Sequence, residues 1–208
     1  IAKAKDPYSQ TDEECMVTNQ FIRLTLQACL KSKDLGLCQN LHSVLFEVGF
    51  HSNPYLLDLL ILLYSACGAL EDANHVFSIV PKPTTNACNA IIKAYAKVAK
   101  DWMVIKMFND MQVKGSNPNK LTFLCVLKAC KDTISGRLIH HLIVKNGFNL
   151  DLSIANAIIS MYIRCERVEE AQKVFDVLQL KDVTSWCNLI NGYSTYGNYI
   201  DALLMFEK

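Results

Sequence analysis

The stretch LSIANAIISMYIRCERVEEAQKVFDVLQLKD, Leu152 to Asp182, has an earlier counterpart in PYLLDLLILLYSACGALEDANHVFSIVPKPT, Pro54 to Thr84. Laid over each other with a shift of 98 positions, Ile61 meets Ile159, Tyr64 meets Tyr162, Cys67 meets Cys165, Glu71 meets Glu169, Ala73 meets Ala171, Val76 meets Val174 and Phe77 meets Phe175. A fixed repeat is read before anything else, because stacked supersecondary units obey different rules from a single globular core. A shorter beat lies inside the shift. Cys29, Tyr64, Tyr95, Cys130, Tyr162 and Tyr193 recur in one role at spacings of 31 to 35 residues. The chain is therefore a string of short units whose kinds return every third unit.

Working outward, residues 1–18 form a polar lead-in, and six units follow: 19–53 (long), 54–84 (short), 85–119 (standard), 120–151 (long, shortened), 152–182 (short) and 183–208 (standard, truncated). Within a unit two apolar stripes at helical spacing are separated by a break such as Gly68, and the second ends on residues suited to a left-handed cap or on prolines: Gly49, Gly115, Pro81, Pro83. Pro54 stands where a helix tolerates proline, and Glu71 and Asp72 fall in a first turn, where negative charge is favoured. The stripe Ile105, Met107, Phe108 and Met111 reads as core rather than as a ligand groove. Between Cys130 and His140 the fourth unit is three residues shorter than the first between Cys29 and His42, so one helix end or the turn is cut back. Each αα-hairpin cannot bury its apolar face alone and does so by stacking on its neighbours. The expected fold is all-α, a right-handed α-solenoid of about twelve helices in stacked helix-turn-helix units, with Tyr64, Tyr95, Tyr162 and Tyr193 in equivalent settings and function on the surface made by the first helices.

Composition narrows the function classes. Hydrophobic residues make up 51% and charged residues 20%, ample for a packed core. The formal net charge is +1, so there is no global pull toward nucleic acid or membrane, and any such contact depends on local placement. The nine cysteines include no Cys-x-x-Cys pair, and several sit at repeating places, which marks them as reduced, buried small hydrophobes. His140 and His141 are adjacent and point to different sides of a helix, so no metal site is expected. The apolar run from Tyr55 to Ala66 is too short to cross a bilayer and contains Asp58. No catalytic constellation stands out, and neither His-x-Glu nor Pro-Cys-x-x-Cys occurs, so zinc-dependent deamination is not assigned; no cofactor is expected. The chain opens on Ile1 and its last unit stops short at Lys208; it reads as an excerpt, whose start carries no information about targeting.

The phrases Asn156-Ala157-Ile158-Ile159-Ser160-Met161-Tyr162, Val168-Glu169-Glu170-Ala171-Gln172-Lys173-Val174-Phe175-Asp176 and Leu127-Lys128-Ala129-Cys130, with Ile139-His140 and Lys145-Asn146-Gly147-Phe148, resemble plant pentatricopeptide repeat proteins. The alternation of lengths resembles the subclass of mixed long, short and standard motifs. The resemblance implies binding of single-stranded organellar RNA, in mitochondrion or chloroplast, one base per repeat, with the fifth and last residues of a unit as the main readers. It places Asn89 with Asn119, a pairing that favours pyrimidines, and Asn156 with Asp182, which favours uracil. At the same places stand Asp58 with Thr84, Arg23 with Asn53, Leu124 with Asp151, and Cys187, all departures from the usual types. The implied role is an adaptor in RNA editing, processing or translation, with editing or processing factors supplied in trans or by a further domain.

Residues five, nine and thirteen of a unit share one helix face. That face reads Asn89, Lys93, Lys97 in the third unit, Asn156, Ser160, Arg164 in the fifth and Arg23, Gln27, Lys31 in the first. It is polar and locally basic, which suits base readers beside phosphate contacts from Lys93, Lys97 and Arg164. The plain alternative is the solvated side of amphipathic helices. A second function class is a protein-binding scaffold that uses the same surface for a peptide.

Overall fold

The structure, a computed structural model, describes residues 24–25, 28–29, 31–47, 49, 53–149 and 151–207. The lead-in 1–18 and, of the first unit's base-facing positions, Arg23 and Gln27 lie outside them. Among the described residues there is no strand and there are eleven α-helices: α1 (Leu35–Glu47), α2 (Pro54–Cys67), α3 (Leu70–Ile79), α4 (Thr85–Lys97), α5 (Asp101–Val113), α6 (Lys120–Ala129), α7 (Thr133–Lys145), α8 (Leu152–Arg164), α9 (Val168–Val177), α10 (Val183–Thr195) and α11 (Tyr199–Phe206). Leu24, Thr25, Ala28, Cys29, Lys31 and Ser32 are helical too, ahead of α1.

The chain divides into two compact units, one up to Ala94 and one from Tyr95. In the first, α2 packs against α1 and α3. In the second, α6, α8 and α10 pack on one another in turn, so the first helices of successive hairpins form a layer. The second helices lie on that layer: α7 on α6 and α8, α9 on α8 and α10, α11 on α10. Sequence pattern explains the layering. Helix α8 buries Ile154, Ala155, Ile158, Ile159, Met161, Tyr162 and Ile163, apolar on most of its circumference, as a helix with neighbours on several sides must be. Helix α9 buries only Val168, Ala171 and Phe175, a single stripe. The methionine-rich stripe of α5 is core, with Met107, Phe108 and Met111 no more than 2% exposed.

Helix ends are specified locally. The first helices start behind short polar side chains that accept from the orphan backbone N–H groups: Asn53 for α2, Thr84 for α4, Asn119 for α6, Asp151 for α8 and Asp182 for α10. The turn between the two helices of a hairpin carries one residue in the left-handed region. It is glycine at Gly68 and Gly197, but lysine, alanine and glutamate at Lys33, Ala99 and Glu166, which carry the steric cost of a Cβ there.

The fourth hairpin breaks this rule and resolves where its missing residues went. Helix α6 stops at Ala129, Cys130 is extended, and Asp132 already caps α7 by accepting from Ser135 N. The first helix has lost its last turn and the left-handed residue with it. Close packing fills the gap. A Cβ on Gly136 would come within 2.5 Å of Met161 Sδ, so a larger residue there would have to displace the buried end of that side chain.

Candidate functional site

The four tyrosines of the repeating beat all lie in the last turn of a first helix. Tyr64 and Tyr162 take the same partner. His42 Nδ1 lies 2.9 Å from Tyr64 Oη, and His140 Nδ1 lies 3.0 Å from Tyr162 Oη, with the rings edge-on at 5.7 and 5.6 Å. Tyr193 donates instead to Gln172 Oε1 at 3.1 Å. Burial lowers the pKa of both histidines, so they are held neutral, and pushes Tyr64 up to about 12. These pairs tie each short hairpin to the one before it. His140 and Tyr162 also line a half-open groove of about 520 Å³, and His42 lines one of about 450 Å³. Neither groove includes any of the candidate base readers.

Those readers gather elsewhere, at the N-terminal ends of the first helices. Asn156 and Asp182, 26 residues apart, meet: Asn156 Nδ2 donates to Asp182 Oδ1 at 3.0 Å. Asp58 and Thr84, also 26 apart, meet as well, with Thr84 N donating to Asp58 Oδ2 at 3.0 Å and Oδ1 at 3.3 Å. Geometry brings these residues together because the fifth residue lies at the start of one first helix and the closing residue caps the next. Three of the fifth residues are buried: Asp58 is 6%, Asn89 5% and Asn156 8% exposed. The closing residues Thr84, Asn119 and Asp182 are exposed. What reaches solvent is thus mainly the capping side chain, steadied from behind by the inner one.

Electrostatics differ between the two pairs. Burial raises the pKa of Asp58, opposed by its hydrogen bonds to Thr84. Asp182 is pulled below the usual carboxylate range by the Ser185 N–H, the Asn156 amide and the Ser185 hydroxyl, so it stays ionised and acts only as an acceptor. Its side-chain hydrogen bonds all fall on Oδ1, which leaves Oδ2 for a ligand.

The remaining candidates scatter in role. Asn119 closes a capping box with Thr122. Asp151 is bridged by Lys120 Nζ at 2.8 Å, which lowers its pKa, and Leu124 is half-buried. Asn53 caps α2, and Cys187 is exposed. Lys31, Lys93 and Lys97 are exposed. Arg164 is exposed yet occupied: its guanidinium donates to Leu127 O at 2.6 Å, Lys128 O at 3.5 Å and Ser160 Oγ at 3.2 Å. It satisfies carbonyls orphaned where α6 was shortened, the role a basic side chain plays at a helix C-terminus.

Sequence reasoning missed Ser185, which is fully buried and touches both Asn156 and Asp182. The signal was present: Asp182-Val183-Thr184-Ser185 and Asn119-Lys120-Leu121-Thr122 both have a capping residue followed three places on by a hydroxyl that can reach back. Among the described residues no cluster of His, Cys, Asp or Glu could hold a metal ion, and no helix is long and apolar enough to cross a membrane. The eight described cysteines are free thiols, with Cys38 and Cys67 Sγ atoms 3.6 Å apart.

Comparison with known proteins adds three findings. The model of the PPR repeat family matches residues 83–132, and that of the PPR repeat matches 153–183 and 184–208, together just over half of the chain. The pentatricopeptide repeat-containing protein CRR2, chloroplastic, of Arabidopsis thaliana is 32% identical over 192 residues, covering 88% of this chain and 29% of the relative. A putative pentatricopeptide repeat-containing protein of the same plant, named mitochondrial, is 29% identical over 186 residues, covering 88% of this chain and 30% of the relative. Among solved structures, maize PPR10 superposes with a TM-score of 0.70 at 16% identity, over 95% of this chain and 31% of that one. PPR10 in complex with an 18-nucleotide psaJ RNA element gives 0.62 at 20% identity, over 88% and 28%. The chain spans under a third of the length of these proteins.

Proposed function

The chain belongs to the pentatricopeptide repeat family, and we propose that its first-helix face binds single-stranded RNA in a plastid or mitochondrion, one base per repeat. In this reading the repeats are 19–53, 54–84, 85–119, 120–151, 152–182 and 183–208, in the alternating long, short and standard order. The protein is an adaptor that positions a transcript for editing, processing or translation, with the chemistry supplied by other factors or by a further domain.

The observation that carries the reading is the Asn156–Asp182 contact at 3.0 Å, an exposed carboxylate held ionised and steadied by a buried amide. A carboxylate that only accepts is complementary to uracil, whose Watson–Crick edge has an N–H at its centre, and opposed to a base with an acceptor there. Lys93 and Lys97, exposed along α4, suit phosphates, which carry no base identity. The names of the curated relatives, chloroplastic and mitochondrial, support the compartment, and the PPR10–RNA complex supports the partner.

The test is RNA binding by the full-length protein, with all four bases tried at the place opposite the fifth unit. Asp182→Asn keeps an efficient helix cap while removing the charge. It should reduce the preference for uracil by about 1.5 to 3 kcal/mol, the range of a hydrogen bond to a charged group. Lys97→Ala should weaken every sequence alike and lower the salt dependence by about one counterion. If neither change alters RNA binding and a peptide occupies the same face, the scaffold function replaces this one.

A further inference from the structure

We propose that Ser185 is a positioning residue for base discrimination by the Asn156–Asp182 pair, because its buried hydroxyl locks the Asn156 amide in one orientation. The inference rests on the base-reading function proposed above and adds to it a residue outside the fifth unit, contributed by the third position of the following helix.

The proton positions follow from which atoms can face each other. Asn156 Nδ2 lies 3.0 Å from Asp182 Oδ1. An ionised carboxylate has no proton to give, so the amide must turn its N–H₂ end toward Asp182. That places Asn156 Oδ1 against Ser185 Oγ at 2.7 Å. Two acceptors at that separation repel unless a proton lies between them, so the Ser185 hydroxyl proton is shared between Asn156 Oδ1 and Asp182 Oδ1, the latter at 2.8 Å. Ser185 Oγ in turn accepts from Asp182 N at 3.3 Å, so the hydroxyl oxygen has a donor of its own. The result is a directed chain from Asp182 N–H to the Ser185 hydroxyl, on to the Asn156 carbonyl, and from the Asn156 N–H₂ back to the Asp182 carboxylate. Reversing the amide would set its oxygen against the carboxylate.

One N–H of Asn156 and one carboxylate oxygen of Asp182 remain for a base, a donor beside an acceptor. Without the Ser185 hydroxyl, the buried Asn156 oxygen has lost its donor, and leaving such a group unsatisfied is costly. The amide is then held by the Asp182 carboxylate alone, so the donor it offers to the base is less firmly aimed.

The first compact unit supplies an independent control. There Ala87 occupies the helix position of Ser185 and is fully buried with no hydroxyl to offer. The inner residue is correspondingly Asp58, which needs only donors and receives them from Thr84 N. The type of the inner residue and that of the third helix residue agree in each pair: amide with hydroxyl, carboxylate with methyl.

The experiment compares Ser185→Ala and Ser185→Thr in the full-length protein, measuring affinity for RNAs with each of the four bases opposite the fifth unit, alongside Tm. Thr122 fills the same helix position in the preceding capping box and is fully buried, so threonine suits the place. Ser185→Ala should reduce the ratio between preferred and disfavoured bases about fivefold, the scale of one hydrogen bond. Affinity for the disfavoured bases should change by less than about twofold, and Ser185→Thr should restore the ratio. A wild-type protein without base preference at that place, unchanged by Asp182→Asn, would defeat the base-reading function itself. A wild-type preference that Asp182→Asn abolishes and Ser185→Ala leaves intact would defeat the role of Ser185 alone. A uniform loss across all four bases on Ser185→Ala would likewise defeat it, since that is the mark of a merely structural defect.

Discussion

The two short hairpins, α2–α3 and α8–α9, are built alike and offer different chemistry. Each anchors the tyrosine in the last turn of its first helix to a histidine of the preceding hairpin, at 2.9 Å in one and 3.0 Å in the other. Each brings its fifth residue to its closing residue across 26 positions. Yet in α2–α3 the charge sits on the buried partner, where the Thr84 backbone N–H engages both carboxylate oxygens. In α8–α9 it sits on the exposed partner, with one oxygen left for a ligand. The backbone and the anchors make a frame, and two side chains decide what that frame presents.

The two hairpins should differ most in how their interiors are packed. Position for position, Cys38 and Leu63 of the first copy correspond to Gly136 and Met161 of the second. Because a Cβ on Gly136 meets Met161 Sδ at 2.5 Å, Gly136→Cys should destabilise the fold by about 2 kcal/mol, the usual scale of overpacking. Adding Met161→Leu, which reproduces the first copy's combination, should restore part of that loss. Additive effects in denaturant titrations would show that the two copies are packed by different rules.

A smaller effect tests the shared anchor. Tyr64→Phe and Tyr162→Phe each remove the partner of a half-buried histidine and should each cost about 1 kcal/mol. Equal losses are expected, since the geometry is equal. The same histidines give a pH dependence whose sign follows from burial. Both have pKa values lowered from the ordinary 6.5 in the folded chain. Stability is complete above that value. It declines as pH falls from 6.5 toward the folded pKa, because the unfolded chain takes up protons first. Melting temperatures between pH 7.5 and about 5 should show this decline, and His42→Asn combined with His140→Asn should flatten it.

The smallest expected change comes from exchanging the side chains that the two frames present. Asp58→Asn, Thr84→Asp and Ala87→Ser together transplant the second pair, with its hydroxyl, into the first frame. Base preference opposite the second unit should shift toward that of the fifth by a few-fold, while Asp58→Asn with Thr84→Asp alone should shift it less. Binding measured across the four bases at that place decides the matter, and no shift with all three substitutions would mean that the frame contributes more than its two side chains.

Much of this was legible in the residues. The beat of tyrosine and cysteine located the hairpins, and apolar spacing identified the helices, because a helix repeats every 3.6 residues whatever surrounds it. The asparagines and aspartates that close the units were legible as readers through resemblance, but they were equally legible as caps, and Asn119 and Asp182 sit in capping boxes that sequence spacing alone could have marked. The cap and the proposed reader fall on one side chain because the start of a helix is where its backbone donors demand an acceptor.

Tertiary structure alone decided the rest. The sequence shows that three residues are missing from the fourth unit, but not that they come from the end of α6, nor that Arg164, 37 positions away, covers the carbonyl of Leu127 left behind. It shows Asn156 on a polar face, but not that the amide is 8% exposed and held between Asp182 and Ser185. Local patterns specify local hydrogen bonds, since those depend on neighbours three or four residues away. Which groups a side chain meets 26 to 37 residues further along depends on how the hairpins stack, and stacking is settled by the close fit of whole helix faces.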